Sequence, residues 1–165
     1  MENYIVSEKT AILNRWFDLI VNTYPDDTAR FLKNRGDKFA NPVGYTVADN
    51  IEILFDEICN EMDFERLNTA LDNLLRIRSV QNFTPSQAVD VVYLLKKAIH
   101  LEVLEKCVNG QMLQQLLEIE NRIDATALMA FDVYVKCREK IFEIRLNEAR
   151  RGMFKPFSRR QKEDI

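Results

Sequence analysis

The sequence predicts an all-α domain, and three observations carry that prediction. Glycine and proline number only 4 each in 165 residues, whereas a sheet needs many tight turns and a set of long helices needs few. Apolar residues recur at spacings of three and four along most of the chain. No segment alternates with strand period strongly enough to be defended as a strand, and neither an internal repeat nor a low-complexity tract is present. The length suits one domain with a real core, and a hydrophobic fraction of 47% with 30% charged residues is ordinary for a globular protein. The expected architecture is a bundle of five to six helices ending in a long C-terminal one.

The first helix is expected from Ser7, a candidate N-cap, to Tyr24. Ile12, Leu13, Trp16, Phe17, Leu19, Ile20 and Val21 give it an apolar stripe. Pro25-Asp26-Asp27 breaks it, because proline disfavours helix at the residue before it and Asp is a good cap. A short helix then runs from Thr28 to Asn34 with Phe31 and Leu32 inward. The loop Arg35 to Tyr45 precedes a third helix, Thr46 to Met62, carrying Val47, Ile51, Leu54, Phe55 and Ile58 on one face. Asp63 can cap a fourth, in which Phe64, Leu67, Leu71, Leu74, Leu75 and Ile77 repeat at helical spacing.

The segment Asn82-Phe83-Thr84-Pro85-Ser86-Gln87 is the sharpest local signal. Thr84 as N-cap, Pro85 at the first helical position and Gln87 three residues after the cap make a capping box, with Phe83 as a staple onto Ala88. The fifth helix is expected from Pro85 to Lys106, with Val89, Val92, Leu95, Ile99, Leu101 and Val103 buried. Asn109-Gly110 reads as its stop, since both residues tolerate the left-handed conformation. From Gln111 to Arg151 neither glycine nor proline interrupts the chain. Leu113, Leu116, Leu117, Ile123, Ala127, Phe131, Tyr134, Ile141 and Ile144 follow helical spacing, giving one helix of ~60 Å at 1.5 Å per residue. That exceeds a domain of this size. Its second half keeps only a narrow seam, Ile141, Phe142, Ile144 and Leu146, among charges, so a projecting helix that pairs with a second copy is expected. Gly152 is expected to end the helix. Residues 1–151 then form the helical domain and residues 152–165 a basic flexible tail.

Charge and cysteine content narrow the function. A formal charge of −3 argues against a general nucleic-acid binder, which needs a basic surface. The charge is uneven: residues 138–165 hold nine Lys/Arg against five Asp/Glu, leaving 14 basic and 21 acidic residues elsewhere. Cys59, Cys107 and Cys137 are odd in number and widely spaced, the pattern of reduced thiols in the cytosol. No signal peptide is visible in MENYIVSEKT, and no run of ~18 apolar residues could span a bilayer. A cytoplasmic protein is expected.

Catalytic patterns are missing. The sequence has no Gly-rich phosphate loop, no HExxH and no paired cysteines for a metal. A catalytic or haem-binding histidine would have to be His100, the one histidine. It sits mid-helix in KKAIHLEVL and reads first as a core-edge or surface residue. An all-helical chain with a single such histidine also admits a haem-binding globin-like sensor, with His100 as iron ligand. Asp56, Glu57, Glu61 and Asp63 read as a solvated acidic face before an acid–base pair. Trp16, Phe17, Phe31, Phe39, Phe55 and Phe64 read as core. Arg76 and Arg78 near the Phe83 turn are expected to form salt bridges to the acidic body, with an anion or an acidic partner as the alternative. No cofactor and no metal site are expected.

Two segments resemble a known family. The run Trp16 to Tyr24-Pro25, followed by Phe39-Ala40-Asn41-Pro42-Val43-Gly44, resembles the N-terminal domain of RsbRD-type RsbT co-antagonist proteins. Arg76-Ile77-Arg78-Ser79-Val80-Gln81-Asn82-Phe83-Thr84-Pro85-Ser86-Gln87-Ala88 is similar to that family's R-I-R-A-V-Q-D-F-T-P-S-Q-A stretch. The resemblance covers residues 8–150. It implies a sensory input domain of stress signalling that is helical, globin-like but generally without haem, and dimeric. A long helix normally leads from such domains into a STAS domain. This sequence stops soon after that helix, so a stand-alone sensor or an adaptor is expected. Asn41-Pro42-Val43-Gly44 reads as a rigid turn with Gly44 free to take positive φ. The reading reached is a non-catalytic regulatory module working as a homodimer or on an unknown protein partner. Phe131, Tyr134, Ile141, Ile144, Arg159 and Arg160 are its candidate interaction residues.

Overall fold

The computed structural model describes residues 4–34, 39–81, 83–103 and 110–154. Within them lie α1 (Tyr4–Ser7), α2 (Lys9–Val21), α3 (Asp26–Lys33), α4 (Pro42–Cys59), α5 (Phe64–Ser79), α6 (Pro85–Val103) and α7 (Gly110–Phe154). The all-α prediction holds, and no strand occurs among the described residues.

Helix ends follow local chemistry, and several fall elsewhere than the sequence suggested. Ser7 closes α1, donating its hydroxyl to Tyr4 O at 2.6 Å, and does not cap α2. Pro25 stands at the N-cap of α3, with Asp26 and Asp27 in the first turn and Arg30 and Lys33 in the last, an arrangement that suits the helix dipole. The fourth helix starts at Pro42, four residues before the expected Thr46, because Asn41 caps it and proline suits the first position. It ends at Cys59. Met62 then takes φ of 55°, and its N–H reaches Glu57 O at 2.9 Å. Asp63 caps α5 as predicted, accepting from Glu65 N and Arg66 N. The capping box of α6 is also present: Gln87 N donates to Thr84 Oγ1 at 3.3 Å and Thr84 N to Gln87 Oε1 at 2.9 Å.

Asn41 does more than cap. Its Nδ2 donates to Phe31 O, Leu32 O and Asn34 O at 2.9–3.2 Å, closing the end of α3, while its Oδ1 accepts from Gly44 N. One buried amide thus joins two helix termini and satisfies carbonyls that α3 leaves open. Gly44 is helical and not at positive φ, contrary to the expectation. It is glycine because a Cβ there would lie 2.4 Å from Asn41 Nδ2 and 2.8 Å from Leu32 O.

The core sits where α7 crosses α5 and α6, with α2 between α4 and α6 on the other side. Trp16, Leu54, Phe55, Leu71, Leu75, Leu95 and Ile123 are fully enclosed. Burial of each contributes about 1.5–3 kcal/mol. The indole of Trp16 donates to Val91 O at 2.8 Å, which removes the cost of burying its N–H. The aromatic set divides: Trp16, Phe17 and Phe55 are inside, whereas Phe31, Phe39 and Phe64 are exposed. Leu101 is exposed too.

Of the two glycines expected to stop a helix, Gly152 does not, and the stop expected at Asn109-Gly110 falls largely outside the described residues. Gly110 opens α7, and Gly152 lies within its last turn, which continues to Phe154. Asn109, the rest of the expected tail and both of its arginines, Arg159 and Arg160, lie outside the described residues.

Candidate functional site

At 45 residues α7 is ~67 Å long at 1.5 Å per residue. Two apolar stripes run along it. Leu116, Ile119, Ile123, Ala127, Ala130, Tyr134 and Cys137 face the core and are buried. The other stripe is exposed: Leu113, Leu117, Leu128, Phe131, Val135, Phe142, Leu146 and Met153. With 3.6 residues per turn these eight fall within an arc of about 60°, on a side turned away from the core stripe. Phe131 is 51%, Phe142 67% and Leu128 71% exposed. Isolated exposed apolar residues are ordinary; a stripe of them aligned along a whole helix is not.

The core stripe also continues beyond the body. The last described hydrogen bond from α7 to the rest of the domain is Arg138 Nη1 to Ser79 O at 2.9 Å, which closes the end of α5. Ile141 is half-buried and Ile144 exposed. Both line a groove of about 330 Å³ between α5 and α7, with Val80 and Cys137 as its other apolar walls and Asp72, Arg76, Lys136 and Lys140 at its margins. The sixteen residues from Glu139 to Phe154 therefore reach ~24 Å past that bond.

The candidate interaction residues thus separate. Phe131 lies on the outer stripe, and Ile141 and Ile144 in the groove where the inner one emerges. Tyr134 is 3% exposed and belongs to the core of its own subunit, which corrects its place among outward-facing residues. Sequence reading missed Leu128, Val135 and Met153; sorting α7 by angle instead of merging all its apolar residues into one list would have found them.

The other candidate residues have local roles. His100 is exposed and its Nε2 pairs with Glu120 Oε1, joining α6 to α7 at the surface, so the imidazole does not point into the core. Of the four carboxylates expected on a solvated face, Glu61 and Asp63 are exposed, whereas Asp56 is half-buried and Glu57 buried. Asp56 pairs with Lys9, Asp63 caps α5, and buried Glu57 pairs with Arg66 and accepts from Asp63 N. Cys59 and Cys137 are free and buried; burial pushes the Cys59 thiol up to about 12. Among the described residues no cluster of three or more His, Cys, Asp or Glu could hold a metal.

Arg76 and Arg78 part company. Arg76 pairs with Asp72 one turn away on exposed surface, as expected. Arg78 is 2% exposed and has no ion pair among the described residues. It lies over the Phe83 ring at 4.0 Å and the Tyr24 ring at 5.4 Å, and donates to Thr23 Oγ1 and Gln87 O.

A helical body with a long final helix that extends past it, an exposed apolar stripe along its length, is the class of fold the chain shows. The chain belongs to the family described as the RsbT co-antagonist protein rsbRD N-terminal domain, whose model matches residues 10–149. It is therefore a regulatory domain of the stress-signalling type. No curated protein and no solved structure is matched. No helix among the described residues is long and apolar enough to cross a membrane.

Proposed function

We propose that the domain is a non-catalytic input or adaptor module of the cytoplasm that acts through protein–protein contact, as a homodimer joined along α7. The observation that supports this most is the alignment of eight exposed apolar side chains on one arc of a 45-residue helix. Such a face gains by covering itself, and a second copy offers an identical stripe at the same concentration. The resemblance to dimeric input domains points the same way. The end of α7 past Arg138, with half-buried Ile141 and exposed Ile144 lining the α5–α7 groove, is the part left over for a regulatory partner.

Two pairs of substitutions separate these roles. Phe131→Glu with Phe142→Glu places charge on the outer stripe and is expected to yield a folded monomer. Ile141→Glu with Ile144→Glu is expected to leave the dimer intact and weaken partner capture. Size-exclusion chromatography with light scattering reads the mass of both variants, and a pull-down from the native cell reads partner capture by the second. A mass unchanged by the first pair, or halved only by the second, would move the dimer contact to the groove.

A further inference from the structure

The family segments that the interaction surface does not use come together in space. Thr23, Tyr24 and Pro25, from the first, and Gln81, Phe83 and Gln87, from the second, line one cleft of about 390 Å³, with Thr28 completing it. None of these lining residues is charged. Behind the cleft stands Arg78, enclosed between the Tyr24 and Phe83 rings, its Nη atoms donating to Thr23 and Gln87, two of the lining residues.

The cluster is incompletely satisfied. Arg78 Nε and Gln81 Oε1 are buried and have no hydrogen-bond partner. A guanidinium stays protonated in proteins, so a buried one is normally matched by a carboxylate. Glu57, a buried acid, has such a match in Arg66, whereas Arg78 has no ion pair among the described residues: it is held by the neutral Tyr24 hydroxyl, with the Asp90 carboxylate acting more weakly from a distance. Ring faces and neutral acceptors hold the cation without neutralising it. The cleft in front adds neutral donors: the hydroxyls of Thr28 and Tyr24 and the amides of Gln81 and Gln87. Pro25 supplies no side-chain cap to α3, so the first-turn N–H groups of that eight-residue helix are left open beside the rim that Pro25 and Thr28 form.

We propose that this cleft binds a small organic monocarboxylate, its apolar part against Phe83 and Pro25 and its carboxylate on the polar wall before Arg78. One uncompensated positive charge suits one negative charge. A dianion would exceed it and would also meet Asp26 and Asp27 at the start of α3. The site lies apart from the outer stripe of α7, so it stands whether or not the domain dimerises.

Benzoate, its neutral counterpart benzamide, and inorganic phosphate are suitable probes of the full chain, followed by amide NMR shifts of Thr28 and Gln87. Benzoate is expected to give saturating shifts in the millimolar range, with benzamide at least about tenfold weaker. Arg78→Gln is expected to abolish them. Should that variant fail to fold, Thr28→Trp, whose side chain would fill the mouth from an exposed position, is expected to abolish them in a folded protein. Equal shifts from benzamide, saturation by phosphate alone, undiminished binding by folded Thr28→Trp, or no saturation by benzoate up to about 50 mM would each overturn the proposal.

Discussion

At the residue scale, Asn41 shows how much one side chain can settle. Its buried amide holds the last carbonyls of α3 and the first turn of α4 together. Asn41→Ala would leave those groups buried and unmatched, at about 1–3 kcal/mol for the most enclosed of them. A urea titration is expected to show a loss of at least about 2 kcal/mol with the m-value unchanged. Gly44 gives the complementary prediction. Glycine to alanine in a helix ordinarily stabilises by about 1 kcal/mol, yet here the added methyl would collide with Asn41 and Leu32 O. Gly44→Ala is expected to destabilise by about 1–3 kcal/mol, read in the same titration; a stabilised variant would contradict the close approach. The sequence made this pair visible as a motif but assigned it the wrong mechanism. Close approach and positive φ both call for glycine, and only the position of Leu32 O tells them apart.

At the scale of elements, the caps divide into those legible from the chain and those that were not. Thr84, Pro85 and Gln87 specify a helix start through contacts within four residues, so local pattern was enough. Thr84→Ala is accordingly expected to cost about 1 kcal/mol, seen as a lower urea midpoint, with Thr84→Ser close to neutral. Ser7 had the right type for a cap, yet its hydroxyl turns back to Tyr4 O. Gly152 was read as a stop because glycine is common after helices, but it lies inside the last turn of α7, where the preceding turns carry it. Gly110, read as the stop of the preceding helix, is the first residue of α7. The same limit explains the exposed Phe31 and Phe64. Helical spacing gives a residue's angle on its own helix, whereas burial depends on whether another element reaches that side.

At the scale of the whole molecule, the long final helix was predicted from its composition, while its two faces needed the packing of α5 and α6 to be told apart. Phe131 and Tyr134 are only three residues apart, yet one faces outward and the other is sealed in the core. Arg78 was likewise visible as a possible anion partner, but its lack of an ion pair among the described residues followed only from the fold. The outer stripe of α7 is proposed to be covered by a second copy. Sedimentation equilibrium of the full chain over a wide range of concentration tests this most directly. A dimer mass that falls toward a monomer on dilution is expected, and a monomer at every concentration once Phe131 and Phe142 carry charge. A chain that stays monomeric when concentrated, or a dimer indifferent to those two substitutions, would contradict it.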